Sequence, residues 1–149
     1  MYFIDRAKID STLTYMDEIL NQFKSQHTFS SSIEKLGLER IVHMWIEAFI
    51  DVGNMMIDGF IMRDPGSYED IIDILVDEQV LKGQDSDVYK TVVKLRSILL
   101  REYISLNHDE ISRKFSESVS VLSTYSSSVR KYVNEELGPV HAFKNSDQS

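Results

Sequence analysis

The sequence predicts an all-α protein, an antiparallel bundle of about five helices. Apolar residues recur at three- and four-residue steps along most of the chain, which is the spacing of helices that bury one face. The chain holds only 6 glycines and 2 prolines, and each proline stands beside a glycine where a periodic segment ends. At 149 residues the chain buries roughly 70% of its unfolded surface on folding, which is enough for a core of its own. Residues 1–139 are therefore predicted to form one helical domain.

The first two predicted helices are joined by a polar connector. Asp5 can cap the first helix with its carboxylate. Residues 27–32 form the connector and end in serines, which can cap a second helix that runs from about residue 32 or 36 to about residue 62. The apolar face of the first helix carries Ile9, Leu13, Met16, Leu20 and Phe23.

Turn residues separate the later helices. Residues 64–67 form a turn in which Ser67 can cap a short third helix over residues 68–78. A second turn over residues 82–85 precedes a fourth helix from about residue 87 to residue 103.

A single fifth helix is predicted from about residue 109 to residue 136. Seven serines lie between Ser116 and Ser128, and their alternation with valine also resembles a strand, but the longer apolar spacing favours one helix. Gly138 and Pro139 end this helix, and residues 140–149 are predicted to be a flexible tail. The spacing rests on Ile111, Phe115, Val119, Leu122, Val129 and Val133.

The composition excludes several classes of protein. Lysine and arginine number 16 against 24 aspartates and glutamates, which gives a formal charge of -8. This charge is unlike that of basic nucleic-acid coat proteins or of proteins held on anionic lipid by charge alone. Cysteine is absent, which excludes disulfides and thiolate metal sites and favours a reducing, cytoplasmic setting. No basic segment followed by an apolar run opens the sequence, so no secretory signal is predicted.

Neither a membrane span nor a metal or cofactor site is predicted. The most apolar stretch, residues 41–62, is interrupted by Glu47, Asp51 and Asp58, so it offers no run of about 20 apolar residues. The histidines show neither HxxxH nor HExxH spacing, and no Gly-rich phosphate loop is present.

The predicted fourth helix places an arginine on its apolar side. At ~100° per residue, Arg96 falls between Val92, Leu99 and Tyr103. A guanidinium aimed at a core needs a carboxylate or phosphate partner, because an unpaired buried charge is costly. The polar face of the same helix carries Lys90, Lys94, Ser97 and Arg101.

The predicted second helix offers a partner for that arginine. Its polar residues form a seam only about 80° wide, and the rest of its circumference is apolar, as expected of a helix at the centre of the bundle or against another subunit. Glu47 or Asp51 could pair with Arg96 and fix helix register, or the seam and Arg96 could form a pocket for an anionic group. The seam consists of Arg40, His43, Glu47, Asp51, Asn54 and Asp58.

Three blocks of sequence together resemble the HepT-like proteins, a branch of the HEPN superfamily. Glu47, Asp51 and Asn54 are similar to the E-x-x-x-D-x-x-N segment of that family, and Pro65-Gly-Ser-Tyr68 resembles the Pro-x-Ser-Tyr that follows it. Arg96-Ser-Ile-Leu-Leu-Arg101-Glu-Tyr103 resembles the signature R-N-x-x-x-H-x-Y. The order and spacing of the blocks match over residues 36–112, about half of the chain.

The resemblance implies a homodimeric bundle whose interface cleft cuts RNA without metal, the ribose 2′-hydroxyl attacking the adjacent phosphate. It further implies a nucleotidyltransferase-type antitoxin as partner, which can place AMP on the signature tyrosine. Carried over to this sequence, Arg96 holds the phosphate and Tyr103 is the modified residue. Glu47, Asp51 and Asn54 support the site from the second helix, and the residues expected to contact RNA phosphates are Lys90, Lys94, Asn54 and Ser97.

The sequence departs from the family at the decisive position. Arg101 stands where the family has histidine, and Ser97 stands where asparagine is usual. Arginine stays protonated and cannot accept a proton in catalysis, although it binds phosphate well. His108 is a candidate substitute if the chain turns after Tyr103.

Three hypotheses therefore stand side by side. The protein is a HepT-like toxin with residual or full endoribonuclease activity, or a catalytically silent dimer that binds RNA, a nucleotide or a nucleotidyltransferase, or a dimerisation module in which Arg96 is only a buried ion pair. Residues 90–101 hold four basic residues and no acidic one. Two such segments across a dimer would form a positive groove in an acidic protein.

Overall fold

The computed structural model describes residues 4–138, and this part of the chain is all-helical, as the sequence predicts. A short 3-10 turn over Gly83–Asp85 precedes the fourth helix. The tail predicted over residues 140–149 lies outside the described residues. The six α-helices are α1 (Arg6–Ser25), α2 (Ser32–Gly59), α3 (Tyr68–Asp77), α4 (Ser86–Arg101), α5 (His108–Leu122) and α6 (Tyr125–Leu137).

Side-chain caps fix where the helices begin. The Asp5 carboxylate accepts a hydrogen bond from the Lys8 backbone N–H at the start of α1, which confirms the predicted cap. Ser31 and Glu34 form a reciprocal capping box at the start of α2. The Ser67 hydroxyl accepts from the backbone N–H of the third residue of α3, at 3.1 Å. The predicted start of each of these helices is therefore confirmed.

The long fifth helix of the prediction is wrong in one respect, because the chain breaks it into α5 and α6 at Ser123 and Thr124. Both hydroxyls donate to backbone carbonyls of the preceding turn at 2.7 Å, and such bonds compete with helix continuation. The break turns Tyr125 into the core, where its hydroxyl donates to the Phe49 carbonyl at 3.3 Å. Packing of one aromatic side chain therefore overrides the apolar spacing.

The second helix occupies the centre of the bundle, as its narrow polar seam predicts. It contacts α1, α3, α4 and α5. Its Trp45 and Phe49 pack with the buried rings of Tyr89, Phe115 and Tyr125. Burial raises the pKa of Tyr89 to about 12, so this phenol stays neutral. The aromatic cluster fixes α4 against α2, which sets the position of the polar side chains that follow along both helices.

Close approach of α3 to α2 depends on a glycine. A Cβ on Gly53 would lie 2.6 Å from Cγ2 of Ile71, a fully packed residue of α3. A Cβ on Gly37, an exposed glycine of the same helix, would meet nothing within 4 Å. Two glycines in one helix therefore have different structural roles.

We expect the substitution Gly53→Ala to lower the free energy of unfolding by about 1–3 kcal/mol, because the new methyl overpacks the contact with α3. The matched change Gly37→Ala should raise it by about 0.5–1 kcal/mol through helix propensity alone. Urea denaturation followed by circular dichroism measures both. Equal effects of the two substitutions would contradict the close packing of α2 and α3.

Candidate functional site

A surface cleft of about 510 Å³ lies between the start of α3 and the second half of α4. It contains Arg96 and Arg101, the two arginines at the signature positions, together with an aromatic ring and aliphatic side chains. The residues that line it are Ser67, Tyr68, Glu69, Val93, Lys94, Arg96, Ser97, Leu100 and Arg101.

Arg96 is held by a carboxylate from the central helix. Its Nε donates to Oε1 of Glu47 at 2.6 Å, so the predicted pairing with the seam of α2 is confirmed for Glu47. The guanidinium also lies over the ring of Tyr68, with Cζ 4.7 Å from the ring centroid. Within residues 4–138 no hydrogen bond occupies its terminal nitrogens. The edge of the guanidinium that best fits a phosphate is therefore available.

The expectation that Arg96 points into the core is wrong. Its side chain is 26% exposed and that of Glu47 is 29% exposed, because the apolar face of α4 ends beside the polar seam of α2. The pair lies at the surface edge of the helix contact, where water reaches it. A partly exposed pair contributes little to stability, so its main effect is to orient the guanidinium.

His43 belongs to the same cluster. The sequence analysis places it in the polar seam of α2 but gives it no role of its own. Its Nε2 lies 3.3 Å from Oε1 of Glu47, the oxygen that also accepts from Arg96. The signal was present in the sequence as the four-residue spacing between His43 and Glu47 on one helix face. The structure thus connects one histidine to Arg96 through a shared carboxylate, although not at the family position.

Arg101 and Lys94 are the other cationic groups of the cleft. The Arg101 side chain is exposed and forms no ion pair or hydrogen bond with any residue of the range 4–138. Lys94 lies at 4.0 Å from a carboxylate oxygen of Glu69, a loose contact that leaves the ammonium hydrated. Ser97 lies between these cations on α4. The cleft therefore presents positive charge in an acidic protein.

Other predicted site residues lie outside the cleft. Lys90 pairs with Asp73 of α3 at 2.7 Å, and Asp51 is exposed on α2. Asn54 is half-buried one turn further along α2. Tyr103 is 65% exposed and follows the end of α4, because the helix stops at Arg101 instead of continuing to residue 103. Their assignment to RNA contact, support or modification stays a prediction.

His108 does not take the place of the missing family histidine in the cleft. It begins α5, and its Nε2 lies 2.8 Å from Oε2 of Glu39. It lines a separate surface cavity that also includes Lys35 and Asn107. The chain does turn after Tyr103, but it carries His108 towards the start of α2.

A hydrogen-bonded loop positions the aromatic side of the cleft. Both terminal nitrogens of Arg63 donate to the Asp70 carboxylate, at 2.8 and 2.9 Å. The backbone N–H of Gly66 donates to the same carboxylate at 2.8 Å. Together with the Ser67 cap, these bonds fix the loop from which Tyr68 starts α3. The Arg63 bond first, and the Gly66 bond second, lower the pKa of Asp70 to about 2.

Two further expectations concern metals and membranes. Among residues 4–138, no group of three or more histidine, aspartate or glutamate side chains is placed to hold a metal ion. In the same part of the chain, none of the helices is both long and apolar enough to cross a bilayer.

A family model described as Ribonuclease HepT-like matches residues 9–129. The chain belongs to the HepT-like ribonuclease family. A relative from Bacillus subtilis (strain 168), named "Putative RNase YutE", is 45% identical over 144 residues, which cover 97% of this chain and 100% of the relative. The family assignment from the three motif blocks is therefore confirmed.

Two solved structures share the fold of this family member. The structure of YutE from Bacillus subtilis, described as a cytosolic protein of unknown function, has a TM-score of 0.91 at 44% identity and covers 94% of this chain and 98% of its own. A chain in a crystal structure described as a toxin–antitoxin with AMP-PNP has a TM-score of 0.67 at 17% identity, covering 83% of this chain and 95% of its own. The second likeness shows the fold alone.

We expect Asp70→Asn to make the free energy of unfolding depend less steeply on pH in acid. The folded-state pKa of Asp70 is depressed from 3.8 to about 2, so its contribution is complete above about pH 4 and is lost as the pH falls towards 2. Urea unfolding from pH 5 to pH 2 should therefore show a shallower fall for Asp70→Asn than for the wild type.

The control for that series is Asp58→Asn. The Asp58 side chain is exposed and forms no ion pair among the described residues, so this variant should follow the wild-type curve. If the free energy of unfolding of the wild type and of Asp70→Asn fell equally with pH, the hydrogen bonds of Asp70 to Arg63 and Gly66 would not form in solution.

Proposed function

We propose that this protein is the toxin of a toxin–antitoxin system and a metal-independent endoribonuclease, slowed by the replacement of the family histidine by Arg101. Family membership supports the class of activity. The observation that carries the proposal is the Glu47–Arg96 pair, which holds the guanidinium through Nε beside the cleft and leaves its terminal nitrogens without a hydrogen bond to any residue of the range 4–138.

In the proposed reaction the ribose 2′-oxygen attacks the adjacent phosphorus as its proton passes to water, and the P–O5′ bond breaks as the 5′-oxygen takes a proton from water. The products are a 2′,3′-cyclic phosphate and a 5′-hydroxyl. Arg96 donates two hydrogen bonds to the non-bridging oxygens, whose charge increases in the transition state. Arg101 adds positive charge but accepts no proton from the 2′-hydroxyl. Because no protein group accepts the proton of the 2′-hydroxyl, proton transfer limits the rate and we expect slow cleavage.

A homodimer is part of the same proposal. Two exposed apolar side chains continue from the cleft around the end of α4: Leu100 is 42% exposed and Ile104 is 89% exposed. Clustered exposed apolar residues are typical of interaction surfaces. A second copy on this surface would place Arg96 and Arg101 of the two subunits on opposite sides of one RNA strand.

The proposed partner is a nucleotidyltransferase-type antitoxin in the cytoplasm. The phenol of Tyr103 forms no hydrogen bond within residues 4–138 and is well exposed, so it is accessible to a transferase that adds AMP. The absence of cysteine is compatible with a reducing compartment, and the similar YutE structure is described as that of a cytosolic protein.

A catalytically silent dimer that binds RNA, a nucleotide or such a transferase is the second candidate. It is favoured by one observation, the arginine at position 101. Arginine at both signature positions increases affinity for a polyanion and removes the proton acceptor of the family.

The experiment that separates the two candidates is an RNA-cleavage assay with purified protein and EDTA. We expect slow cleavage by the wild type and a loss of about 10²–10³-fold in rate for Arg96→Ala, the size of losing one transition-state donor. Arg101→His should increase the rate by about 10²-fold or more, because it restores a proton acceptor.

The matched control is Arg113→Ala, which removes an exposed arginine of α5 whose one ion-pair partner within residues 4–138 is Glu117. It should cleave at the wild-type rate. Wild-type protein that binds RNA without cutting it would favour the silent dimer, and a gain of cleavage in Arg101→His would then support it further. Unchanged RNA binding by Arg96→Ala would contradict both candidates.

A further inference from the structure

We infer that an unpaired nucleobase stacks on the ring of Tyr68. The cleft would then bind single-stranded RNA through one nucleotide. This inference rests on the proposed function and specifies its substrate. The observation behind it is a tyrosine ring that lies in the cleft beside the arginine proposed to hold phosphate.

Tyr68 differs from the tyrosines of the core. Tyr89 and Tyr125 are each only 1% exposed, whereas Tyr68 is 45% exposed. Its ring is nevertheless held in place, because the Arg96 guanidinium lies 4.7 Å from its centroid in a cation–π contact. An aromatic ring that is both exposed and fixed presents a preformed surface for another flat group.

The backbone beneath the ring is also fixed. Tyr68 is the first residue of α3, directly after the Ser67 cap, and the Arg63–Asp70 clamp holds the loop that precedes it. A ring on a clamped helix start loses little conformational freedom when a ligand stacks on it.

The remaining walls of the cleft match a nucleotide. Leu100, which is 42% exposed, provides most of the apolar surface, and Lys94 and Arg101 provide positive charge. Proteins that bind single strands combine such charge along the backbone with aromatic rings for the bases. A cleft of about 510 Å³ falls within the usual range for a small-ligand site.

Stacking on Tyr68 selects against duplex RNA. In a helix each base is already stacked on its neighbours, so its face is unavailable to a protein ring, whereas loops and single strands present free bases. The phosphate next to such a base would then lie towards Arg96, which connects base recognition to the proposed cleavage position.

The test measures binding of ligands that the protein cannot cut. Adenosine 3′-monophosphate and ribose 3-phosphate are titrated by NMR against wild type, Tyr68→Phe, Tyr68→Leu and the control Tyr15→Leu. Tyr15 is a partly exposed tyrosine of α1 and does not line the cleft. Any change in the position of Arg96 affects both ligands alike, so the ratio of the two affinities reports base stacking alone.

We expect the affinity of the wild type for the nucleotide to be at least about ten times its affinity for the ribose phosphate. Tyr68→Phe and Tyr15→Leu should keep this ratio, and Tyr68→Leu should bring it close to one. Thermal unfolding shows that each variant is folded. A ratio near one in the wild type, or an unchanged ratio in Tyr68→Leu, would overturn the inference.

A second arm compares a 2′-O-methylated single strand with the duplex of the same sequence. The single strand should bind at least tenfold tighter, and equal affinity would also overturn the inference. The two proposals fail separately. Base-dependent binding without cleavage would leave the stacking site standing and remove the ribonuclease, whereas cleavage with a ratio near one would do the reverse.

Discussion

The ion pair between Glu47 and Arg96 is the constraint on which the rest of the site depends. It joins the central helix to α4 at the edge of the core, where both side chains are a little more than a quarter exposed. A pair in that environment contributes about 0–1 kcal/mol to folding. Its larger effect is geometric, because engaging Nε holds the guanidinium at the cleft while its other two nitrogens bond to no described residue. The ring of Tyr68 lies against the guanidinium, and His43 contacts the same Glu47 carboxylate. The Glu47–Arg96 pair therefore positions an aromatic ring, an imidazole and a guanidinium that can bind an anion.

The charge of the molecule follows the same arrangement. The chain carries a formal charge of -8, yet residues 90–101 contain only basic charges. Carboxylates of α2 and α3 stand beside three of those charges: Asp73 beside Lys90, Glu69 beside Lys94 and Glu47 beside Arg96. Arg101 has no such neighbour among the described residues. Lys94, Arg96 and Arg101 therefore bring three positive charges to one cleft, which favours a selective contact with a polyanion over general adhesion. This geometry reconciles an acidic protein with a proposed RNA substrate.

Local signals in the sequence predict much of this fold, and tertiary packing decides the rest. Caps such as Asp5 and Ser67 are readable because one side chain bonds to a backbone three residues away. The narrow seam of α2 predicts its central position and offers Glu47 or Asp51 as the partner of Arg96, and the structure shows that the partner is Glu47. The break between α5 and α6 is not readable, because it depends on the fit of Tyr125 among rings from two other helices. The exposure of Arg96 and its contact with Tyr68 likewise depend on how α2, α3 and α4 pack together, which no spacing in the sequence reports.

The most direct test of this account is the side-chain NMR spectrum of Arg96, assigned with Arg96→Lys. We expect its Nε–H to exchange with water more slowly than that of the exposed Arg113, and to lose this protection in Glu47→Gln. Inorganic phosphate should then shift the terminal nitrogens of Arg96 in the wild type while its Nε–H stays bonded. An Nε–H that exchanges as fast as that of Arg113, with terminal nitrogens that do not respond to phosphate, would contradict the claim that Glu47 orients Arg96 for an anion.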